Sequence, residues 1–147
     1  MIDFKLPSSM GNDFELSTCT TPVVIFFYPK DDTPGCTIEN QDFTKLYPEF
    51  QKINIKVVGI SRDTVASHCK FADKFNLSVE LLSDVDEVVC KIFDVIKDKN
   101  MYGRVVQGIE RSTFVLDTTK KIVKEWRKVK AENHAHEVLE FVRNYFA

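Results

Sequence analysis

The segment that most limits how this chain can fold is Pro22-Val23-Val24-Ile25-Phe26-Phe27, a short run of β-branched and aromatic residues set directly before a turn-rich loop. Such a run reads as a buried strand. Beyond the loop, Phe43, Leu46, Tyr47 and Phe50 recur at helical spacing, so a helix is expected over about 34–52. Within the loop, Thr33 suits the N-cap. Pro34 suits the first helical position, where its missing N–H would have had no partner. Cys36 then falls in the first helical turn. Unpaired N–H groups and the positive end of the helix dipole favour an anion there, and for cysteine that anion is the reactive thiolate. Such sites lower a thiol pKa from ~8.5 to between about 3.5 and 7.5. The competing reading is a small buried hydrophobe, the commoner fate of a free cysteine.

The remaining elements follow the same logic. Asp3-Phe4-x-Leu6-Pro7 and Asp13-Phe14-Glu15-Leu16 predict two short edge strands about a turn at Met10-Gly11-Asn12. Ile53 to Ile60 predicts a second buried strand, and a βαβ unit makes it the parallel neighbour of the first. Ser61-Arg62-Asp63 supplies a cap for a helix with Val65, Cys69, Ala72 and Phe75 on one stripe. Leu77–Leu82 suggests a brief extended segment. Ser83-Asp84 then caps a helix whose apolar face is Val85, Val89, Ile92, Phe93 and Ile96, which leaves Cys90 facing solvent. Residues 98–110 read as a polar loop. Arg111–Asp117 and Lys121–Trp126 read as a hairpin around Asp117-Thr118-Thr119-Lys120, and His136–Phe146 as an amphipathic helix. This order describes a single domain over 1–147: an α/β fold with a central mixed sheet flanked by helices and an N-terminal β-hairpin extension.

Composition narrows the function. With 147 residues, a net charge of −2 and a pI near 5.9, the chain has no electrostatic case for nucleic acid or an anionic membrane. Its longest apolar run, Val23–Tyr28, is far too short to span a bilayer. The first residues lack a basic region followed by an apolar core, so no signal peptide is expected and the cytoplasm is the expected compartment. None of Cys19, Cys36, Cys69 and Cys90 forms a C-x-x-C pair, which argues against a zinc ribbon and a dithiol motif. In a reducing compartment they read as thiols. His68, His134 and His136 are too dispersed for a metal site and read as surface residues.

Pro29-x-x-x-Thr33-x-x-Cys36 matches the active-site signature of the peroxiredoxins. The wider string Phe27-Tyr28-Pro29-Lys30 through Thr33-Pro34-Gly35-Cys36-Thr37 and Glu39 resembles their bacterioferritin-comigratory (PrxQ) branch. A second string, Gly108-Ile109-Glu110-Arg111-Ser112-Thr113-Phe114, resembles the segment where that family carries a strand-borne arginine. The resemblance implies a thioredoxin-like fold and a thiol peroxidase with no prosthetic group. Cys36 would attack hydrogen peroxide or an organic hydroperoxide and pass through a sulfenic acid, with thioredoxin the implied reductant. Arg111 would stabilise thiolate and leaving oxygen, since guanidinium stays charged and donates several fixed hydrogen bonds; the competing reading is a surface salt bridge. Thr33 would serve as cap and as hydroxyl partner of the thiolate, and Pro29 would shape and shield the loop. Glu39 is typical of the branch, and reads equally well as a favourable acid near the helix start.

Where many members of this branch carry a resolving cysteine five residues after the first, this chain has Gln41. Others use the helix corresponding to 63–75, at a position that looks here like Ala72, one turn from Cys69 on the same face. Cys69 is therefore the internal candidate. Cys90 could resolve between molecules, and without either an external thiol would reduce the sulfenic acid. Monomers are common in the branch. Two other functions compete: a redox sensor or holdase switched by Cys36 oxidation, and a disulfide reductase. The latter is disfavoured because Thr33 stands where a vicinal thiol would be needed.

Overall fold

The computed structural model describes residues 2–146, with Met101 described by its backbone alone. Strands β1 (Lys5–Pro7) and β2 (Asp13–Glu15) pair antiparallel as expected, followed by a single 3-10 turn at Leu16–Thr18. The apolar run becomes β3 (Val23–Phe27), after which the chain enters helix α1 (Pro34–Lys52). Strand β4 (Lys56–Ser61), helix α2 (Val65–Phe75) and strand β5 (Glu80–Ser83) come next. A five-residue helix α3 (Val88–Ile92), a hairpin of β6 (Ile96–Met101) and β7 (Arg104–Ile109), strands β8 (Ser112–Leu116) and β9 (Ile122–Trp126), and helix α4 (His134–Tyr145) complete the chain.

Five strands form one mixed sheet in the order β5-β4-β3-β8-β9. The expected β3–α1–β4 unit is present, with β4 parallel to β3 and β5 parallel to β4, while β8 and β9 run antiparallel. Every residue of β3 is buried, because both faces of the sheet are covered. Val23, Ile25 and Phe27 face a core with Phe93, Phe114 and Leu16; Val24, Phe26 and Tyr28 face α1 and α4 through Phe43, Phe50 and Val138. That alternation is the period of two that a strand imposes. The tightest aromatic contact, Phe26 on Phe43 with centroids 4.4 Å apart, fixes α1 against β3. It needs Gly59 beside it on β4: a Cβ there would lie 2.6 Å from Phe26 Cζ.

Four expectations need correction. The helix expected over 85–96 shrinks to α3, bracketed by left-handed residues Glu87 (φ 62°) and Asp94 (φ 55°). The predicted apolar face holds at Val89 and Phe93, which are buried, but not throughout. Cys90 is fully buried, and Val85, Val88 and Ile92 are exposed. Residues 98–110 are no loop: β6 and β7 form a hairpin over Tyr102 (φ 53°) and Gly103 (φ 78°), two consecutive positive-φ residues of the kind a tight right-twisting turn requires. Helix α2 is capped by Thr64, whose hydroxyl accepts from Ser67 N at 3.2 Å, and buries His68 and Phe71. Finally, α4 starts two residues earlier than expected and brings His134 into the core, so His68 and His134 are internal and only His136 is exposed. Among the described residues no helix is long and apolar enough to cross a membrane.

Candidate active site

Cys36 is the third residue of α1 and is fully buried. Tyr28, at the end of β3, is buried as well, so the loop 29–33 leaves the sheet from a fixed point and returns into the helix at Pro34. Thr33 occupies the N-cap with extended backbone (φ −110°, ψ 156°), and its carbonyl accepts the Thr37 N–H at 2.8 Å. Its hydroxyl makes no cap bond. Instead it donates to the Lys30 carbonyl at 2.9 Å and closes the loop on itself. Pro29 is half-buried between Tyr28 and the exposed Lys30.

Arg111 comes from the other end of the sequence, at the residue before β8. Because β8 pairs antiparallel with β3, Ser112 lies opposite Phe27, and the strand delivers Arg111 to the loop that follows β3. Its Nη2 donates to Cys36 Sγ at 3.4 Å and its Nη1 to Glu39 Oε1 at 2.7 Å. The approach depends on Gly35: a Cβ there would stand 3.0 Å from Arg111 Nη2. Burial works against the guanidinium charge, but the Glu39 and Cys36 side chains hold its pKa above the ordinary arginine value. Glu39 is wholly buried beyond the first turn of α1, which corrects its reading as an acid near the helix start. Burial pushes its carboxyl up to about 7 in spite of Arg111. One of its oxygens, Oε2, has no hydrogen-bond partner. Asn40, also buried, donates from Nδ2 to the Cys36 carbonyl at 2.9 Å and leaves its own Oδ1 unpartnered.

A polar network ties the loop to α2 and β5. Asp31 accepts from the Tyr28 hydroxyl at 2.6 Å and from the Ser67 hydroxyl at 2.7 Å, and its Oδ2 lies 2.8 Å from His68 Nδ1. His68 Nε2 lies 2.9 Å from the Leu82 carbonyl. Both ring nitrogens of His68 thus have a buried oxygen within hydrogen-bond distance. Burial alone would raise Asp31, but the hydrogen bond and charge of His68, helped by Tyr28 and Ser67, hold it below the usual carboxylate range. Asp63 Oδ2 accepts from the Asp31 N–H at 2.8 Å and the Ser61 hydroxyl at 2.6 Å. Although Asp31, Asp63 and His68 place three possible ligand atoms within 4.8 Å of one another, those atoms are occupied by these internal bonds. The sequence reading missed this network, because a loop aspartate and a lone histidine carry no signal of their pairing.

The four thiols are free. Cys69, half-buried on α2, points its sulfur at the Ser9 carbonyl 3.8 Å away, toward the N-terminal segment. Cys90 is buried, which corrects its expected exposure to solvent, and burial with the adjacent Asp84 carboxylate pushes its thiol far up. Cys19, half-buried, is also raised by burial.

The AhpC/TSA family profile matches residues 1–125. Peroxiredoxin Bcp of Xanthomonas campestris pv. campestris is 56% identical over 117 residues, 80% of this chain and 73% of that protein. Peroxiredoxin Bcp of Bacillus subtilis is 39% identical over 97% of this chain and 91% of its own length. A solved structure of Xanthomonas campestris peroxiredoxin Q superposes with a TM-score of 0.93 at 48% identity, covering 98% of this chain and 92% of that one. Other structures of the Xanthomonas protein replace one or the other of two cysteines by serine. The chain belongs to the AhpC/TSA family and is similar throughout the described fold to the peroxiredoxins of the Bcp/PrxQ branch.

Proposed function

We propose that Cys36 is the peroxidatic nucleophile of this thiol peroxidase and that Arg111 activates it. The observation that carries the reading is the divided guanidinium, with one nitrogen on the Cys36 sulfur and the other anchored on Glu39. Similarity to the Xanthomonas bacterioferritin comigratory protein, whose structures address alkyl peroxide reduction, supports hydrogen peroxide and alkyl hydroperoxides as substrates. The Cys36 thiolate attacks one peroxide oxygen. An S–O bond forms as the O–O bond breaks, and the departing oxygen takes up a proton and leaves as water or alcohol. Arg111 faces both the attacking sulfur and the charge that develops on the departing oxygen, where a fixed cation lowers the barrier most. Thr33 and Pro29 hold the loop through the Lys30 turn and shield the sulfur from water.

The resulting Cys36 sulfenic acid is attacked by a thiol, which releases water and forms a disulfide; a second thiol then restores Cys36. We take thioredoxin as the external reductant, acting on a monomer in the cytoplasm. Cys69 remains the internal thiol nearest in kind to the resolving position, and its half-exposed sulfur makes it the one to watch.

The test adds one equivalent of hydrogen peroxide to the reduced protein and maps the products by intact mass and non-reducing peptide digestion. A Cys36–Cys69 bridge identifies an internal resolving thiol, and one added oxygen on Cys36 identifies an enzyme served by external thiols. An unmodified Cys36 overturns the assignment. In steady state with thioredoxin, Cys36→Ser should consume no peroxide. Sustained turnover by the wild type favours catalysis over a redox-sensor or holdase role.

A further inference from the structure

The charges around Cys36 do not balance with the residues described so far. When Cys36 is a thiolate and Glu39 a carboxylate, two negative groups share the single guanidinium of Arg111 in a buried pocket, and an uncompensated buried charge is costly. Burial already weighs on Glu39, whose carboxyl is held up to about 7 even beside Arg111.

A second cation comes from the hairpin that the sequence reading took for a loop. Lys99 stands on β6 opposite Val106 of β7, and its side chain reaches across so that Nζ donates to the Ile109 carbonyl at 2.8 Å, two residues before Arg111. Gly108 leaves the path narrow but open; a Cβ there would meet Lys99 Cδ, Cε and Nζ at 3.4 Å. Neighbouring cations have carboxylate partners: Lys97 pairs with Asp94 and Arg62 with Glu87. Among the described residues Lys99 has none within ion-pair distance, and its ammonium is aimed at a backbone carbonyl on the edge of the site. Two of the groups that act on it, Arg111 and Cys36, belong to the site. Burial and the Arg111 and Arg62 guanidinia lower its pKa, while the Cys36 and Glu110 side chains oppose them. It is partly buried, so water screens it less than a surface lysine.

We propose that Lys99 is a positioning residue of this active site: anchored on the Ile109 carbonyl, it fixes the backbone that carries Arg111 and supplies a second positive charge for the Cys36 thiolate. The inference rests on the reading of Cys36 as the nucleophile. Its test, however, needs no peroxide. The rate at which iodoacetamide alkylates Cys36, followed by peptide mass across a pH series, reports how readily the thiolate forms. Lys99→Met, which keeps the apolar stem, should alkylate about fivefold to tenfold more slowly at neutral pH, with its profile displaced to higher pH by up to about one unit. Lys99→Arg should restore both, and added salt should narrow the gap between wild type and Lys99→Met. A Lys99→Met profile that superimposes on the wild type overturns the proposal. Equal displacement in the Met and Arg variants, matched by an equal loss of thermal stability, overturns it too, because it assigns Lys99 to hairpin packing. Should Lys99→Met not fold, Lys99→Gln serves as the neutral variant under the same criteria. If the wild type alkylates as described yet ignores peroxide, the peroxidase reading of Cys36 fails while the role of Lys99 stands.

Discussion

In the proposed mechanism one guanidinium governs the chemistry at Cys36, and Gly35 leaves it little room. Removing it in Arg111→Ala should slow peroxide attack by about 10²–10³-fold, the loss typical when a fixed stabiliser of transition-state charge is deleted, while far-ultraviolet dichroism stays that of the wild type. A normal rate would take Arg111 out of the mechanism. A subtler probe is Gly35→Ala. The added methyl would press on Arg111 Nη2 at 3.0 Å while Glu39 holds Nη1, so the guanidinium must tilt off the sulfur. The rate constant for Cys36 oxidation should fall about tenfold, with little change in the urea midpoint; an unchanged rate would mean that the contact at 3.4 Å is dispensable. At this scale the motif residues were legible, because cysteine, proline and arginine each leave a chemical signature. The detail of Thr33 was not. A hydroxyl at an N-cap can turn either to the helix or to the preceding loop, and only the loop geometry gives it to the Lys30 carbonyl.

The elements around the site hold the loop to α2 and β5 through Asp31. Replacing it in Asp31→Ala would strand a buried imidazole, the Tyr28 hydroxyl and the Ser67 hydroxyl without their shared acceptor. A loss of about 3–5 kcal/mol in unfolding free energy is expected, as when one partner of a buried pair is removed. Amide exchange should rise first in residues 29–36; uniform protection there would show that the loop does not depend on the network. Strands β3, β4 and β8 were readable because dense β-branched runs leave little choice. Two elements were not. Lys97-Asp98-Lys99-Asn100 has the polarity of a loop and low strand propensity, yet it pairs residue for residue with β7, because the Tyr102-Gly103 turn returns the chain at the right twist. Over 85–96, spaced apolar residues imitate an amphipathic helix, but Phe93 and Val95 go into the sheet's core, and the left-handed Asp94 ends the helical path.

Across the whole molecule, two buried groups pull the pH dependence of stability in opposite directions. His134 is lowered from 6.5 to about 4, chiefly by burial, so the native state resists protons that the unfolded chain accepts, and stability rises with pH between about 4 and 6.5. Glu39 is raised from 4.5 to about 7, so the native state keeps a proton that the unfolded chain loses, and stability falls with pH over nearly the same window. Each shift is worth about 3 kcal/mol when fully expressed. Urea unfolding of the wild type between pH 4.5 and 6.5 should therefore show these two contributions nearly cancelling. Glu39→Gln should expose a rise with pH, and His134→Gln a fall. Variants whose curves run parallel to the wild type would remove both assignments.

The N-terminal segment has a separate consequence for the same molecule. Ser9 accepts the Leu81 N–H on its hydroxyl and donates its own N–H to the Leu81 carbonyl, and Ser8 bridges to Leu82, so these residues lie along the outer side of β5. A parallel sheet that ended at β5 would offer a free row of backbone donors and acceptors to any passing strand. The first residues of the chain act as a built-in selvedge that keeps the sheet from being extended by a neighbour. Loosening them would endanger solubility before it touched Cys36.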